Sequence, residues 1–123
     1  MLRKLGLAIV LLAVTMGHDH GGCSSDGEPS GATCPPDSQL TWESFGRDFM
    51  AEFCTRCHAA GLQGGQRRGA PIEHDFDSQA GVQLELDHVD AAAAGSVLMP
   101  PSSPRPSPGE RRQLAEWLAC GAP

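Results

Sequence analysis

Cys54-Thr55-Arg56-Cys57-His58 holds two thiols and an imidazole within five residues. A C-x-x-C-H run is the pattern by which two cysteines add to the vinyl groups of haem while the adjacent histidine becomes an axial ligand of the iron. The spacing has a physical cause. Two intervening residues let both thiols reach one porphyrin edge from a single helical turn, and the next residue projects beneath the ring. Other uses of paired cysteines need more than this stretch offers. A structural zinc site takes four ligands, and Cys54 and Cys57 with His74 or His88 supply only three unless Cys34 or Cys120 joins them. A thiol oxidoreductase of the thioredoxin kind wants its C-x-x-C after a strand, and no β-rich run precedes Cys54.

Elements must position those groups, and length and composition bound what they can be. At 123 residues, 40% apolar and 20% charged, the chain is of single-domain size and ordinary globular composition. Four Phe, two Trp and no Tyr are few large side chains for a core, which leaves room for something else to fill the middle. A formal net charge of −6 argues against phosphate-backbone binding, so nucleic acid is not an expected partner.

Arg3 and Lys4 precede an apolar stretch, residues 5–16, that reads as a secretory signal too short to span a bilayer. Gly21-Gly22-Cys23 is similar to the end of a bacterial lipoprotein signal, which makes Cys23 a candidate lipidation site, with cleavage after Gly17 as the alternative. His18-Asp19-His20 reads as solvated linker. Residues 24–37, rich in Ser, Gly, Asp and Pro, cannot bury enough surface to fold alone. The expected organisation is a signal over 1–22, a flexible tether over 23–37 and one folded domain over 38–123. Export places the chain in the periplasm or on the outer membrane surface, with membrane contact only through a lipid anchor.

Within the domain, Trp42, Phe45, Phe49 and Phe53 recur at steps of three and four, which predicts a helix over 41–53. Gly46 in its middle weakens a helix unless close approach of another element uses the missing side chain. Ser107-Pro108-Gly109-Glu110 is a capping box with proline at the first helical position. It predicts a last helix with Leu114, Trp117 and Leu118 inward, Arg111, Arg112 and Glu116 in water, and Gly121 at its end. Residues 77–89 read as a middle helix with Val82, Leu86 and Val89 inward, followed by a turn over 91–94 capped by Asp90. The Gly-rich stretch 62–69 lacks the G-K-[ST] of a phosphate loop, and its Arg67 and Arg68 read as solvated cations.

Gly46, Phe49, Cys54, Cys57, His58, Pro71, Met99 and a Trp-bearing terminal helix, in this order, resemble a monohaem class I cytochrome c across nearly all of residues 38–123. The resemblance implies an all-α fold whose first and last helices cross at Gly46, with Trp117 packed near Gly46 and Phe49, around one covalently bound haem c per chain. Cys54 and Cys57 become its thioethers and His58 its proximal iron ligand. It also asks for a sixth ligand. Met1 and Met16 leave with the signal and Met50 sits on the first helix, so Met99, in a loop stiffened by Pro100, Pro101, Pro104 and Pro106, is the candidate. His74 and His88 are competitors that would give bis-His iron. The family's proline carbonyl to the proximal ring NH falls on Pro71. Crossed end helices bring the chain ends together, so Cys34 and Cys120, the pair left over in an oxidising compartment, are expected to form a disulfide.

The function so implied is electron carriage on His/Met-ligated haem, not enzymatic turnover, with a redox protein bearing a basic patch as partner. The alternatives are a haem-based small-ligand sensor or catalytic subunit with an open or bis-His iron, and a zinc-stabilised structural lipoprotein.

Overall fold

The computed structural model describes residues 27–123; the expected signal segment and Cys23 lie outside the described residues. Among the described residues every regular element is a helix, so the fold is all-α. None of these helices is long and apolar enough to cross a membrane. In chain order they are a π-helical turn (Trp42–Gly46) running into α1 (Arg47–Phe53), a 3-10 turn (Gly64–Arg67), α2 (Gln79–Gln83), α3 (Leu86–Val89), a second π-helical turn (Asp90–Ala94) and α4 (Pro108–Ala119).

The first helical segment starts where the sequence places it. Thr41 accepts from the Ser44 N–H through its hydroxyl, at 3.1 Å, and donates its own N–H to the Ser44 hydroxyl at 2.9 Å. The opening turn is π rather than α, with the Gly46 N–H reaching the Thr41 carbonyl at 3.0 Å. Gly46 is buried there against the indole of Trp117, and a Cβ built on it would overlap that ring. Trp117 has no exposed surface, and its ring centroid lies 6.2 Å from that of Trp42 and 5.9 Å from that of Phe45. The expected junction between the first and last helices at Gly46 is present. The rings beside Trp117 are those of Trp42 and Phe45, while Phe49 meets Phe45 and Phe53 in tilted pairs.

The last helix carries the predicted capping box: Ser107 donates its N–H to Glu110 at 2.7 Å and accepts the Glu110 N–H at 3.2 Å. These bonds with Ser107 hold the Glu110 carboxyl below the ordinary glutamate range. A carboxyl lowered on folding stabilises the fold above its unfolded pKa and loses that contribution as the pH falls through its folded value. Glu110→Gln is therefore expected to flatten this part of the acid unfolding curve. Ser107→Ala removes a cap and should destabilise the protein by about 1 kcal/mol in urea unfolding at neutral pH.

Three expectations are corrected. The middle helix is two short ones, because Glu85, at φ −128° and ψ 26°, leaves helical angles. Leu84 and Glu85 are good helix formers, and tertiary contacts accompany the break: the Gln83 amide donates to the carbonyls of Gly121 and Ala122, and the Glu85 carboxylate lies 3.7 Å from His74 Nε2. Val82 and Val89 are buried as expected. Asp90 is not a cap but opens the second π turn, and its carboxylate accepts the Ser30 N–H and hydroxyl at 2.8 and 2.6 Å. That contact corrects the third expectation, since residues 27–37 are laid along the domain rather than forming a free tether. Gly95 has no room for a side chain beneath the Glu28 to Ser30 backbone, and Cys34 is disulfide-bonded to Cys120 at the end of α4, with Cα atoms 4.7 Å apart. A composition that cannot fold by itself is ordered by a covalent link and a charged hydrogen-bond acceptor.

Candidate functional site

The C-x-x-C-H stretch continues α1 by one irregular turn. The N–H groups of Cys54 and Thr55 both reach the Met50 carbonyl at 2.9 Å, and those of Cys57 and His58 reach the Cys54 carbonyl at 3.1 and 3.0 Å. Both thiols are unpaired and half-buried. With His58 they line a cavity of about 370 Å³ whose walls also include Phe49, Phe53, Val89, Leu98 and Met99. That volume lies in the range of small-molecule and cofactor sites. The chain thus brings Met99 to the same cavity as the two thiols and His58.

His58 is held from behind. Its Nδ1 donates to the His74 carbonyl at 3.0 Å, and its ring stacks on Phe76 at 4.8 Å. A carbonyl can only accept, so Nδ1 carries the proton and Nε2 keeps a free lone pair. Burial, the largest influence, lowers the pKa of His58 against the opposing bond to His74, which favours the neutral, metal-competent ring. The carbonyl expected from Pro71 therefore comes from His74. Pro71 accepts from Arg67 instead, and the turn through residues 71–74 carries the His74 carbonyl to the ring.

Arg67 is the residue that shapes this loop, and the expectation of a solvated cation is corrected. It is 5% exposed, and its guanidinium donates to the carbonyls of Ala59, Ala70, Pro71 and His74 and to the Asp75 carboxylate at 2.8 Å. Arg68 is exposed, in the left-handed conformation at φ 51°. Nothing in Gly-Gly-Gln-Arg-Arg distinguishes the two arginines by sequence.

The Met99 side is held by two more arginines. Arg111, expected in water, is buried and donates through Nη1 to the carbonyls of Ala93, Ser96 and Met99, the last two at 3.0 and 2.9 Å. Its helical spacing to Leu114 and Leu118 is three and seven, which places it on the apolar stripe; that was the signal for it. Arg56, inside the motif itself, donates to the carbonyls of Ser102, Ser103 and Pro104. The Met99 N–H closes on the Ala92 carbonyl at 2.9 Å. Met99 itself is 40% exposed.

Burial pushes the Cys54 thiol up to about 12, despite the opposing charges of Arg56 and Arg111. A thiol-redox site needs the opposite, a depressed pKa and a standing thiolate. His74 and His88 are engaged with Glu85: the His88 Nδ1 lies 2.6 Å and the His74 Nε2 3.7 Å from its Oε2.

Comparison with protein-family models, curated proteins and solved structures finds no match.

Proposed function

We propose that the chain is an exported c-type cytochrome of the class I kind, an electron carrier with one haem c joined to Cys54 and Cys57 and ligated by His58 and Met99. The observation that carries the reading is the meeting of the two thiols, His58 and Met99 in one largely apolar cavity. Bound haem would supply one-electron exchange at its iron, with His/Met ligation favouring the reduced form. The chain's own residues do the rest. Cys54 and Cys57 anchor, His58 offers Nε2 because His74 holds its other nitrogen, and Phe49, Phe53 and Val89 exclude water. Arg56 and Arg111 hold the backbone that presents Met99. The net charge of −6 suits docking to a partner with a basic patch, so electron exchange with such a partner should slow as salt is raised.

The exposure of Met99 favours one second reading, an open iron that binds a small ligand. The test of both is made on the full chain produced in cells able to attach haem. The pyridine haemochrome spectrum is expected to survive unfolding in denaturant, and Cys54→Ser with Cys57→Ser to release the pigment. A colourless chain, or one that loses its pigment on unfolding, overturns the cytochrome reading. Carbon monoxide separates the two haem readings: the reduced carrier resists it and Met99→Ala admits it, whereas ready binding by the unaltered protein establishes the open site.

A further inference from the structure

His74, Glu85 and His88 come from the loop behind His58, the break between α2 and α3, and α3 itself, yet their ligand atoms all lie within 4.8 Å of one another. The two imidazoles stack at 5.6 Å, 26° from parallel, with the Glu85 carboxylate serving both. Two neutral imidazoles and a carboxylate form a borderline-soft N2O donor set, suited to zinc or copper and poor for magnesium or calcium. Zinc bonds to such donors of about 2.0–2.2 Å in a tetrahedral arrangement set the donors about 3.4 Å apart. The His74 to Glu85 separation of 3.7 Å is already near that value, the His88 to Glu85 separation of 2.6 Å needs to open by less than one ångström, and the two imidazole nitrogens, within 4.8 Å of each other, need to close by about 1.4 Å at most. The break at Glu85 interrupts a run of good helix formers and leaves its Oε2 near one nitrogen of each ring.

We propose that His74, Glu85 and His88 form a binding site for one divalent transition cation of the zinc or copper kind, with a fourth position open to water. The site opens on the same cavity as the proposed haem, because His74 and His88 line it and the backbone carbonyl of His74 orients His58.

The test is zinc titration of the full exported chain, stripped with a chelator and followed by calorimetry, with Cys54 and Cys57 either carrying haem or both replaced by serine so that their thiols take no zinc. One zinc per chain is expected. Glu85→Gln and His88→Ala should each weaken binding at least tenfold, with Asp87→Asn on the same helix as the unaffected control. The His88 side chain is 56% exposed, so His88→Ala keeps the test alive if His74→Ala fails to fold, as circular dichroism would show. No zinc binding at 0.1 mM (about a −5.5 kcal/mol ceiling), or binding unchanged in both Glu85→Gln and His88→Ala, overturns the site. Neither result bears on haem attachment, which the haemochrome spectrum reads separately.

Discussion

Trp117→Ala is expected to lower the unfolding free energy by about 3–5 kcal/mol, the range for truncating a buried aromatic side chain. The indole has no exposed surface, meets the rings of Trp42 and Phe45, covers Gly46 and turns its Nε1–H to the Pro123 carbonyl at 3.4 Å. Its removal opens a cavity where the first helical segment meets α4 at Gly46. Small domains have about 5–15 kcal/mol in total, so the variant should unfold at a much lower urea midpoint with little change in slope. A side chain added at Gly46 presses on the same ring from the other side. Gly46→Val should therefore destabilise strongly alone and less than additively when combined with Trp117→Ala, since contacting sites couple. A loss below about 1 kcal/mol for Trp117→Ala would mean that the junction is not where the core is held together.

Arg111→Met is expected to loosen the Met99 loop while keeping most of the apolar stem in place. One nitrogen of Arg111 serves three carbonyls, those of Ala93, Ser96 and Met99. Hydrogen bonds to a charged group contribute about 1.5–3 kcal/mol each and less when protons are shared, so the whole set is put at about 3 kcal/mol. Arg111→Lys should restore part of this, because an ammonium offers three N–H donors on one nitrogen, as Nη1 is asked to do, but on a shorter stem. The positioning role has its own readout under the proposed function. The variant's reduced form should gain carbon monoxide binding, and its ferric form should lose the absorption band that reports methionine on iron. If Arg111→Met is stable to within about 0.5 kcal/mol of the parent and still resists carbon monoxide, Arg111 does not hold the loop.

How far the sequence reaches can be read from particular residues. The capping box at Ser107 and Glu110 and the start at Thr41 are local, each made by groups three residues apart, and both are present as read. Gly46 was legible because a glycine inside an apolar helical pattern needs a close neighbour, and Trp117 is that neighbour. Local rules failed where distant parts of the chain supply the decisive contact. Glu85 breaks a helix its own propensity favours, and Asp90 serves Ser30 rather than the turn it begins.

The sequence by itself determined the chemistry on offer: two thiols and an imidazole at C-x-x-C-H spacing, a methionine in a proline-rich loop, an all-helical pattern and two further cysteines to join the ends. Spacing suffices there because helical periodicity, capping and the motif are set by bonds and sterics within a few residues. Only the tertiary structure decided that His74 rather than Pro71 holds His58, that Arg67 and Arg111 are buried organisers rather than solvated charges, and that His74, Glu85 and His88 meet. The first two turn on where backbone carbonyls lie once the chain has closed on itself, and the third on the break at Glu85. A buried carbonyl must find a donor, and the nearest one in space was not the nearest in sequence.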